Sequence, residues 1–236
     1  SWENHRALFT NAGFTVETYP YFDQSANGGL GGINFDGMLA ALNAAPAGTI
    51  VLLHACCHNP TGYDISAAQW DQVIEVVKAR ELTAFLDMAY QGFGYGIAED
   101  GAVIGKFVAA GLNIFVSTSF SKSFSLYGER VGALSVVGSS KEETDRVLSQ
   151  LKIAIRTNYS NPPTHGGAIV AAVLNNPELR AQWEQELAEM RVRIKAMRQK
   201  LVDGLKAAGV KQDMSFITTQ IGMFSYSGLS KDQMVR

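Results

Sequence analysis

The stretch that decides the fold runs from Ser117 to Gly132 and reads STSFSKSFSLYGERVG. An apolar run from Asn113 to Thr118 leads into it and predicts a buried strand, and a second apolar run follows from Val131 to Val137. Lys122 therefore comes just after the carboxyl end of a strand, which is where open α/β sheets place their ligands. The pattern predicts an α/β fold with Lys122 at the ligand-binding edge of its sheet.

Hydroxyl and guanidinium groups accompany Lys122 in this stretch. Ser119 and Ser121 supply hydroxyls, and Arg130 supplies a fork of donors that matches phosphate. A lysine beside a phosphate cradle indicates a phosphorylated cofactor held next to an amine, and pyridoxal phosphate is the obvious case. The alternative interpretation of this stretch alone is a surface lysine in a polar loop.

Two more buried strands are predicted before this stretch, from Thr49 to Ala55 and from Leu82 to Met88. Amphipathic helical segments separate the strands, and this alternation is typical of a mostly parallel sheet covered on both faces, a three-layer αβα fold. Asn59, Asp87 and Lys122 then project from the same carboxyl edge of the sheet. The sequence therefore predicts a functional site at that edge.

Weaker patterns predict other elements. Phe14 to Tyr21 alternates like a strand, and Phe216 to Tyr226 predicts strands around Gly222. The NGGLGG segment, residues 27–32, favours a hairpin or a flexible loop over a phosphate loop. Ala168 to Leu174 is uniformly small and apolar, so we expect a buried helix there.

A long helix is predicted in the last third of the chain, with Asn176 as its cap and Pro177 at its first position. Its apolar residues recur every three or four positions for about 30 residues, or ~45 Å, so the helix is either a coiled-coil partner or a spine between domains. We expect residues 1–175 to form part of a large domain, residues 176–209 the interdomain helix, and residues 210–236 the beginning of a small α+β domain.

Composition excludes several classes of function. The formal net charge is −2 and no basic run is long, so neither nucleic acid nor an anionic membrane is an expected partner. The adjacent Cys56 and Cys57 favour reduced buried thiols, and the expected location is the cytoplasm. The chain starts without Met and stops just after the capping box of Ser230 and Gln233, so we expect an internal fragment of a longer protein.

Four motifs occur in one order and spacing: HNPTG from His58, DMAYQGF from Asp87, SFSKSFSLYGERVG from Ser119, and YSNPPTHG from Tyr159. In this arrangement the chain resembles the aspartate/aromatic aminotransferases, which are fold-type-I pyridoxal-phosphate enzymes. WENH, starting at Trp2, CCHNPTG and SLYGERVG are closer to the bacterial aromatic (tyrosine) branch. The resemblance implies the large-domain fold of that family and pyridoxal 5'-phosphate as the cofactor.

The resemblance also implies roles for individual residues at the cofactor ring. Lys122 would form the internal aldimine and carry a proton between the amino acid's α-carbon and the cofactor. Asp87 would pair with the protonated pyridine nitrogen, as an electron sink requires. Tyr90 and Asn59 would hydrogen-bond the ring oxygen.

Further implied roles concern the surroundings of the ring. Ser119 and Arg130 would bind the phosphate, Trp2 would stack on the ring, and His5 and His54 would support Asp87. Considered singly, these side chains also suit ordinary structural roles: His54 a core histidine, Trp2 a packing residue, and Asp87 a loop cap.

The substrate would be bound by Arg156, Asn158, Trp2 and Asn59, with Ser160 beside Arg156. Arg156 would reach a substrate's side-chain carboxylate from the partner subunit, so a homodimer is implied. No metal is expected.

The implied reaction moves an amino group between an aromatic or dicarboxylic amino acid (tyrosine, phenylalanine or aspartate) and 2-oxoglutarate. It is a ping-pong reaction of two half-reactions. Two alternatives stay open, namely a lyase or synthase of the same cofactor family and a catalytically silent truncated form. The resemblance also implies that a Gly/Ser phosphate loop and an arginine for the α-carboxylate lie outside this chain.

Overall fold

The computed structural model describes residues 2–235. It has six strands, which are β1 (Phe22–Asp23), β2 (Gly32–Ile33), β3 (Ile50–His54), β4 (Thr83–Met88), β5 (Ile114–Ser119) and β6 (Gly132–Val137). Its helices are α1 (Asn4–Asn11), α2 (Ala26–Gly29), α3 (Phe35–Ala44), α4 (Ala67–Ala79), α5 (Ile97–Ala109), α6 (Lys141–Asn158), α7 (Thr164–Asn175), α8 (Pro177–Ala207), α9 (Phe216–Thr219) and α10 (Lys231–Val235), and a 3₁₀ turn covers Tyr127–Glu129.

The main sheet has the strand order β3-β4-β5-β6. β3, β4 and β5 are parallel, and β6 returns antiparallel to β5. The predicted α/β class with a mostly parallel sheet is therefore confirmed, and the three predicted strands agree with the structure to within one residue at each end. Because β6 runs back, the loop between β5 and β6 starts and ends at the same edge of the sheet.

Helix α4 covers the sheet because one of its faces is apolar and packs on the strands. Ser66 and Gln69 form the predicted capping box, in which the Ser66 hydroxyl accepts from the Gln69 amide at 3.2 Å. The helix then buries one face at i, i+3, i+4 and i+7 spacing, with side chains of Trp70, Val73, Ile74 and Val77. These side chains join the core cluster that β3, β4 and β5 share with α3 and α5.

The strand predicted from Phe14 to Tyr21 is wrong. These residues have no regular secondary structure, and only the next two, Phe22–Asp23, pair with Gly32–Ile33. The alternating apolar and polar residues of this segment instead place two tyrosine hydroxyls against backbone carbonyls of the main body. Tyr19 donates to the Leu52 carbonyl at 2.7 Å, and Tyr21 donates to the Tyr63 carbonyl at 2.8 Å. The hairpin expected around residues 27–32 is present as the β1–β2 pair.

The strands predicted from Phe216 to Tyr226 are also wrong. Phe216–Thr219 is a short helix, and the residues after it are irregular, with Gly222 at φ +81°. Their carbonyl groups are bonded by an arginine side chain of α8 rather than by a neighbouring strand. Backbone carbonyls can accept hydrogen bonds from a neighbouring strand or from a side chain, and a local pattern of apolar residues does not distinguish the two.

Burial of the segment from Ala168 to Leu174 was predicted and is largely wrong. The segment belongs to α7, whose buried residues are Gly166 and Val170. A helix that is apolar all round carries no signal for the face that packs, so its burial cannot be predicted from composition.

The predicted long helix is confirmed as α8, with 31 residues. Asn176 caps it by accepting from the amides of Glu178 and Leu179 at 2.9 and 3.1 Å. One side of α8 packs on the loop after β4, where Leu187 is buried and would lie 2.4 Å from a Cβ placed at Gly92. The division into a large domain, a spine and a small domain stays a prediction.

Within the described residues, no helix is both long enough and apolar enough to cross a lipid bilayer.

Candidate active site

Three neighbouring strands end at the same point of the sheet, and their register brings polar residues together. His54 ends β3 and pairs with Asp87 on β4, and Asp87 pairs in turn with Ser117 on β5. In parallel strands the paired residues lie on the same face, so three polar side chains line one side of the carboxyl edge. This is the edge at which the sequence predicted a site.

The Asp87 carboxylate is held in a charged form by its neighbours. Its Oδ2 lies 3.0 Å from Nε2 of His5, and its Oδ1 accepts from the Ser117 hydroxyl at 3.4 Å. Burial by itself would raise the pKa of Asp87, but the hydrogen bond from His5, the charges of His54 and His5, and the Ser117 hydroxyl together lower it below its ordinary value. Asp87 is therefore an anion at neutral pH.

The imidazole rings of His54 and His5 lie next to this carboxylate, with their centroids 5.5 Å apart. Burial lowers the pKa of His54 to about 4, so its imidazole is neutral at neutral pH. Nδ1 of His5 and Nε2 of His54 are buried and have no hydrogen-bond partner in the part of the chain that the structure describes. The predicted support of Asp87 by His5 is a direct contact, whereas His54 lies beside Asp87 as its pairing partner on β3.

Trp2 lies against the outer side of His5, with ring centroids 5.6 Å apart at a T-shaped angle of 88°. The Trp2 side chain is 47% exposed, so it borders the site rather than the core. Its position is open to a flat ligand, which agrees with the predicted stacking role without testing it.

The turn that carries Asn59 is fixed by a half-buried aspartate, Asp64, that sequence reasoning missed. The Asp64 carboxylate accepts from the backbone amides of Cys57 and His58 at 2.5 and 2.7 Å. Burial raises the pKa of Asp64, although these two hydrogen bonds oppose the shift. The carboxylate lies two residues beyond the HNPTG motif, and a polar residue next to a breaker-rich turn was the available signal.

His58 is part of the same turn and serves packing. Its ring stacks on Tyr21 with centroids 4.0 Å apart, and its Nδ1 lies 2.9 Å from the Thr61 hydroxyl. Burial lowers the pKa of His58 to about 2, so this ring stays neutral.

Asn59 and Tyr90 meet across the edge of the sheet. Burial, the largest cause, raises the pKa of Tyr90 above its ordinary value, and the nearby Asn59 side chain opposes the shift. Tyr90 is therefore a neutral phenol with the Asn59 amide beside it. We call His5, His54, Asn59, Asp87 and Tyr90 the carboxylate cluster.

Lys122 projects from the loop after β5 toward this cluster. Its Nζ lies 5.0 Å from the ring centroid of Tyr90 and 5.0 Å from that of Tyr127, so the amine sits between two aromatic rings. Tyr127 was not singled out from the sequence, although it lies inside the stretch SFSLYGERVG.

The Lys122 loop is anchored from both sides. At its base the Phe120 amide donates to the Val131 carbonyl at 3.2 Å, next to the paired Ser119 and Gly132. Above it, Trp183 of α8 donates from Nε1 to the Ser123 carbonyl at 2.7 Å. These contacts fix Lys122 on a rigid scaffold.

The predicted phosphate-binding groups lie in the same loop. The Ser119 hydroxyl accepts from the Ser121 amide at 3.2 Å. Arg130 has a left-handed backbone at φ +53°, is exposed, and donates from one guanidinium nitrogen to the Tyr127 carbonyl at 2.8 Å. A hydroxyl, backbone amides and an arginine at one loop form a suitable donor set for an anion.

Arg156 and Asn158 lie on a different element from the carboxylate cluster. Both are exposed in the last turn of α6, and Arg156 donates to the Ser160 hydroxyl. Among residues 2–235, no hydrogen bond links either side chain to Lys122 or to the carboxylate cluster. We call Arg130 and Arg156 the surface arginines.

Two groups of potential metal ligands lie within 4.8 Å in the described residues: His5, His54 and Asp87, and Cys56, Cys57 and Asp100. In the second group, the Asp100 carboxylate already accepts from the amides of Gly92, Gly94 and Tyr95 at 2.8–2.9 Å. The two thiols are free and buried, as predicted.

The donor set fits a phosphorylated pyridine cofactor. It offers an ionised carboxylate for a cationic ring nitrogen, a phenol and an amide for a ring oxygen, a lysine amine, and an anion cradle. A mostly parallel α/β sheet with such a set at its carboxyl edge is typical of the large domain of pyridoxal-phosphate transferases.

Comparison with known proteins places the chain in a family. All of residues 1–236 match the family described as aminotransferase class I and II, and the chain belongs to that family. It is 61% identical over 236 residues to an aspartate aminotransferase of Pseudomonas aeruginosa and 54% identical to an aromatic-amino-acid aminotransferase of Escherichia coli. Both matches take in 100% of this chain and 58% of the relative, so the chain spans little more than half the length of these proteins.

Solved structures agree with the sequence relatives. The crystal structure of an aromatic-amino-acid aminotransferase from Burkholderia pseudomallei, covalently bound to pyridoxal phosphate, superposes with a TM-score of 0.96 at 69% identity. That match covers 100% of this chain and 58% of the other chain. The predicted resemblance to the aspartate/aromatic aminotransferases is confirmed.

Proposed function

We propose that the protein to which this chain belongs is a pyridoxal-phosphate-dependent aminotransferase. The observation that carries the proposal is the Lys122 amine, held against Tyr90 at the edge of a cluster that keeps the Asp87 carboxylate ionised. The names of the relatives support the same reaction class, and one structural neighbour is covalently bound to pyridoxal phosphate.

In this proposal the carboxylate cluster binds the pyridine ring. Asp87 holds a proton on the ring nitrogen, since an ionised carboxylate stabilises a neighbouring cation. Tyr90 and Asn59 orient the ring through its oxygen, and Trp2 covers one face. The bound cofactor supplies an electron sink for the substrate's α-carbon.

Lys122 has two roles. Its amine would hold the cofactor, and after substrate binding it would move a proton at the substrate's α-carbon. The anchored loop keeps the amine at the edge of the ring site, so the same group can act as nucleophile and as base.

The phosphate of the cofactor would be bound by Ser119 and Arg130, which share the Lys122 loop. Because the amine and the proposed phosphate ligands belong to one loop, that loop sets the distance between the groups that would bind the two ends of the cofactor. Arg130 is exposed, and an anionic ligand would complete its contacts.

The proposed substrates are an aromatic or dicarboxylic amino acid (tyrosine, phenylalanine or aspartate) and 2-oxoglutarate. The amino acid gives up its amino group and leaves as the 2-oxo acid, and 2-oxoglutarate leaves as glutamate. Arg156, with Asn158 beside it, would bind a side-chain carboxylate through its guanidinium fork. Relatives named for aspartate and for aromatic amino acids support both substrate types.

We further propose a homodimer in the cytoplasm. Arg156 lies on α6 without a hydrogen bond to the carboxylate cluster of its own chain, which supports its serving the site of a second subunit. The two buried free thiols support a reducing compartment.

The test uses the purified full-length protein with added pyridoxal phosphate. Reduction with borohydride should fix the cofactor to the chain, and mass spectrometry of the peptides should place it on Lys122. Tyrosine, phenylalanine and aspartate should each convert 2-oxoglutarate to glutamate without ammonia release. Ammonia release in place of glutamate would indicate a lyase, and modification at another lysine would refute the assigned site.

A further inference from the structure

Arg198 is an unusual residue of α8 because its side chain is buried, with 7% exposed. Its guanidinium donates to three backbone carbonyls, those of Gln220 at 2.6 Å, Gly222 at 2.7 Å and Phe224 at 2.6 Å. Arginine stays charged in proteins and presents its donors in a rigid fork, so one side chain fixes a whole backbone segment. We call residues 220–224 the clamped segment.

The clamped segment packs directly on the turn that carries Asn59. A Cβ placed at Gly222 would lie 2.5 Å from the Cβ of Cys57, so the backbone there touches the turn. The Ile221 amide also donates to the Gly62 carbonyl at 2.9 Å. Movement of the segment would therefore move the turn from Cys57 to Gly62.

The same segment packs on Tyr90. The Phe224 ring lies edge-on to the Tyr90 ring, with centroids 5.4 Å apart at 87°. Tyr90 in turn faces the Lys122 amine. The clamped segment thus contacts Tyr90 directly and contacts the turn that carries Asn59 through Cys57 and Gly62.

We propose that Arg198 is a positioning residue that aligns Asn59 and Tyr90 through the clamped segment. This inference rests on the proposed function, because the alignment matters only if the pair orients a cofactor ring. Arg198 touches neither the carboxylate cluster nor Lys122 through a hydrogen bond within the described residues. Its effect is exerted through the backbone of residues 220–224.

The rest of the clamped segment has its own support. Gln220 donates from its side chain to the Tyr226 carbonyl at 2.9 Å and accepts from the Ser225 hydroxyl at 2.6 Å. The segment therefore keeps part of its fold when Arg198 is changed. We expect misalignment, rather than loss of the whole domain.

The experiment compares three variants of the full-length protein: Arg198→Met, Arg198→Lys and Arg193→Met. Arg193 is an exposed arginine on the same helix and is the matched control. The first measurement is amide hydrogen exchange without cofactor. In Arg198→Met, we expect exchange at Ile221 to rise about tenfold or more, because its amide donates to the Gly62 carbonyl and joins the segment to the turn. Exchange at Gly62 should rise with it, because the Gly62 amide closes the loosened turn by donating to the His58 carbonyl.

The second measurement is made after loading with pyridoxal phosphate. Misplacing Tyr90 and Asn59 weakens their hydrogen bonds to the ring oxygen, so the pH at which the bound cofactor's absorbance changes should rise by about one unit. We expect kcat to fall about ten- to hundredfold with KM for the amino acid changed less, because a small misplacement acts mainly on the reacting geometry. Arg198→Lys should recover part of both effects, and Arg193→Met should match the wild type.

The outcomes separate the two proposals. If the wild type binds no pyridoxal phosphate, the proposed function fails, and exchange at Ile221 and Gly62 still tests the mechanical link. If the wild type binds and turns over but Arg198→Met keeps the wild-type absorbance midpoint and kcat, the positioning role is wrong. Should Arg198→Met not fold, Phe224→Leu replaces it, and an unchanged midpoint and kcat in that variant would overturn the inference equally.

Discussion

The carboxylate cluster and the surface arginines are both charged, but their surroundings differ. Asp87 has a partner on each side and a pKa that these partners lower. Arg130 and Arg156 are exposed, and each makes its hydrogen bond to a group on its own loop or helix. The chain itself thus fixes the charge of the first region, whereas it leaves the two guanidinium groups of the second region exposed.

This difference predicts where substitutions act. Changes in the carboxylate cluster should alter both the chemistry and the acid stability of the protein. Changes of the surface arginines should alter ligand binding and leave the free energy of unfolding almost unchanged. The predictions below go from the largest expected effect to the smallest.

The Lys122→Ala variant should lose amino transfer by about 10⁴-fold or more, because one amine serves as nucleophile and base. The measurement is glutamate formation from 2-oxoglutarate in the full-length protein. Lys106→Ala is the control, since Lys106 pairs with Asp71 at 2.5 Å on the outer helices. A residual rate within tenfold of the wild type would remove Lys122 from the mechanism.

The Asp87→Asn variant should lower kcat about 10³-fold, because an amide does not hold a proton on the ring nitrogen. The variant Asp145→Asn is matched to it, since Asp145 is exposed and pairs only with Lys141 of its own helix within the described residues. An Asp87→Asn protein as active as Asp145→Asn would show that the carboxylate cluster does not tune the cofactor.

The Arg130→Gln variant should weaken pyridoxal-phosphate binding by about 10- to 100-fold, the effect of one charge-assisted hydrogen bond or two. Its free energy of unfolding without cofactor should change by less than about 0.5 kcal/mol, as for other exposed positions. Equilibrium titration of the cofactor and denaturant unfolding measure the two quantities. A large loss of stability with unchanged affinity would reverse the comparison between the two regions.

Acid should destabilise the carboxylate cluster through His54. Its pKa is about 4 in the folded protein against 6.5 for the free side chain, so the unfolded chain binds the proton more tightly. The resulting stability is present above pH 6.5 and is lost as the pH falls toward 4, by roughly 2 kcal/mol after allowing for partial exposure. His54→Asn should flatten this part of the unfolding curve, whereas His165→Asn, an exposed histidine on α7, should not.

The Arg156→Gln variant should raise KM for aspartate about tenfold and leave that for phenylalanine nearly unchanged, because only aspartate has a side-chain carboxylate. Its free energy of unfolding should stay within about 0.5 kcal/mol of the wild type. Equal losses with both amino acids would show that Arg156 does not select the dicarboxylic substrate.

The sequence predicted the sheet well because buried strands are long apolar runs. β3, β4 and β5 begin and end within a residue of their predicted limits, and Asp87 lies near the end of β4 as expected. The two wrong strand predictions have a common cause. Tyr19 and Arg198 satisfy backbone carbonyls with side chains from distant parts of the chain, and no local pattern reports such bonds.

In the candidate site, too, local motifs were predicted from the sequence, whereas contacts between distant residues were not. The motifs identified Lys122, Asp87, Tyr90 and Asn59, and the structure brings these four residues to one edge of the sheet. Ser117 was missed because its relation to Asp87 exists only across paired strands. The predicted roles of Ser119, Trp2 and the surface arginines toward ligands stay predictions.

The return of β6 beside β5 has a consequence for evolution and for design. Because Ser119 pairs with Gly132, the segment between them leaves the sheet and returns to it at adjacent positions of one strand pair. The ammonium of Lys122 and the guanidinium of Arg130 therefore belong to one segment with a common base. A graft of this segment onto another antiparallel strand pair would keep the pairing at its base but would need a replacement for the anchor that Trp183 of α8 provides at Ser123.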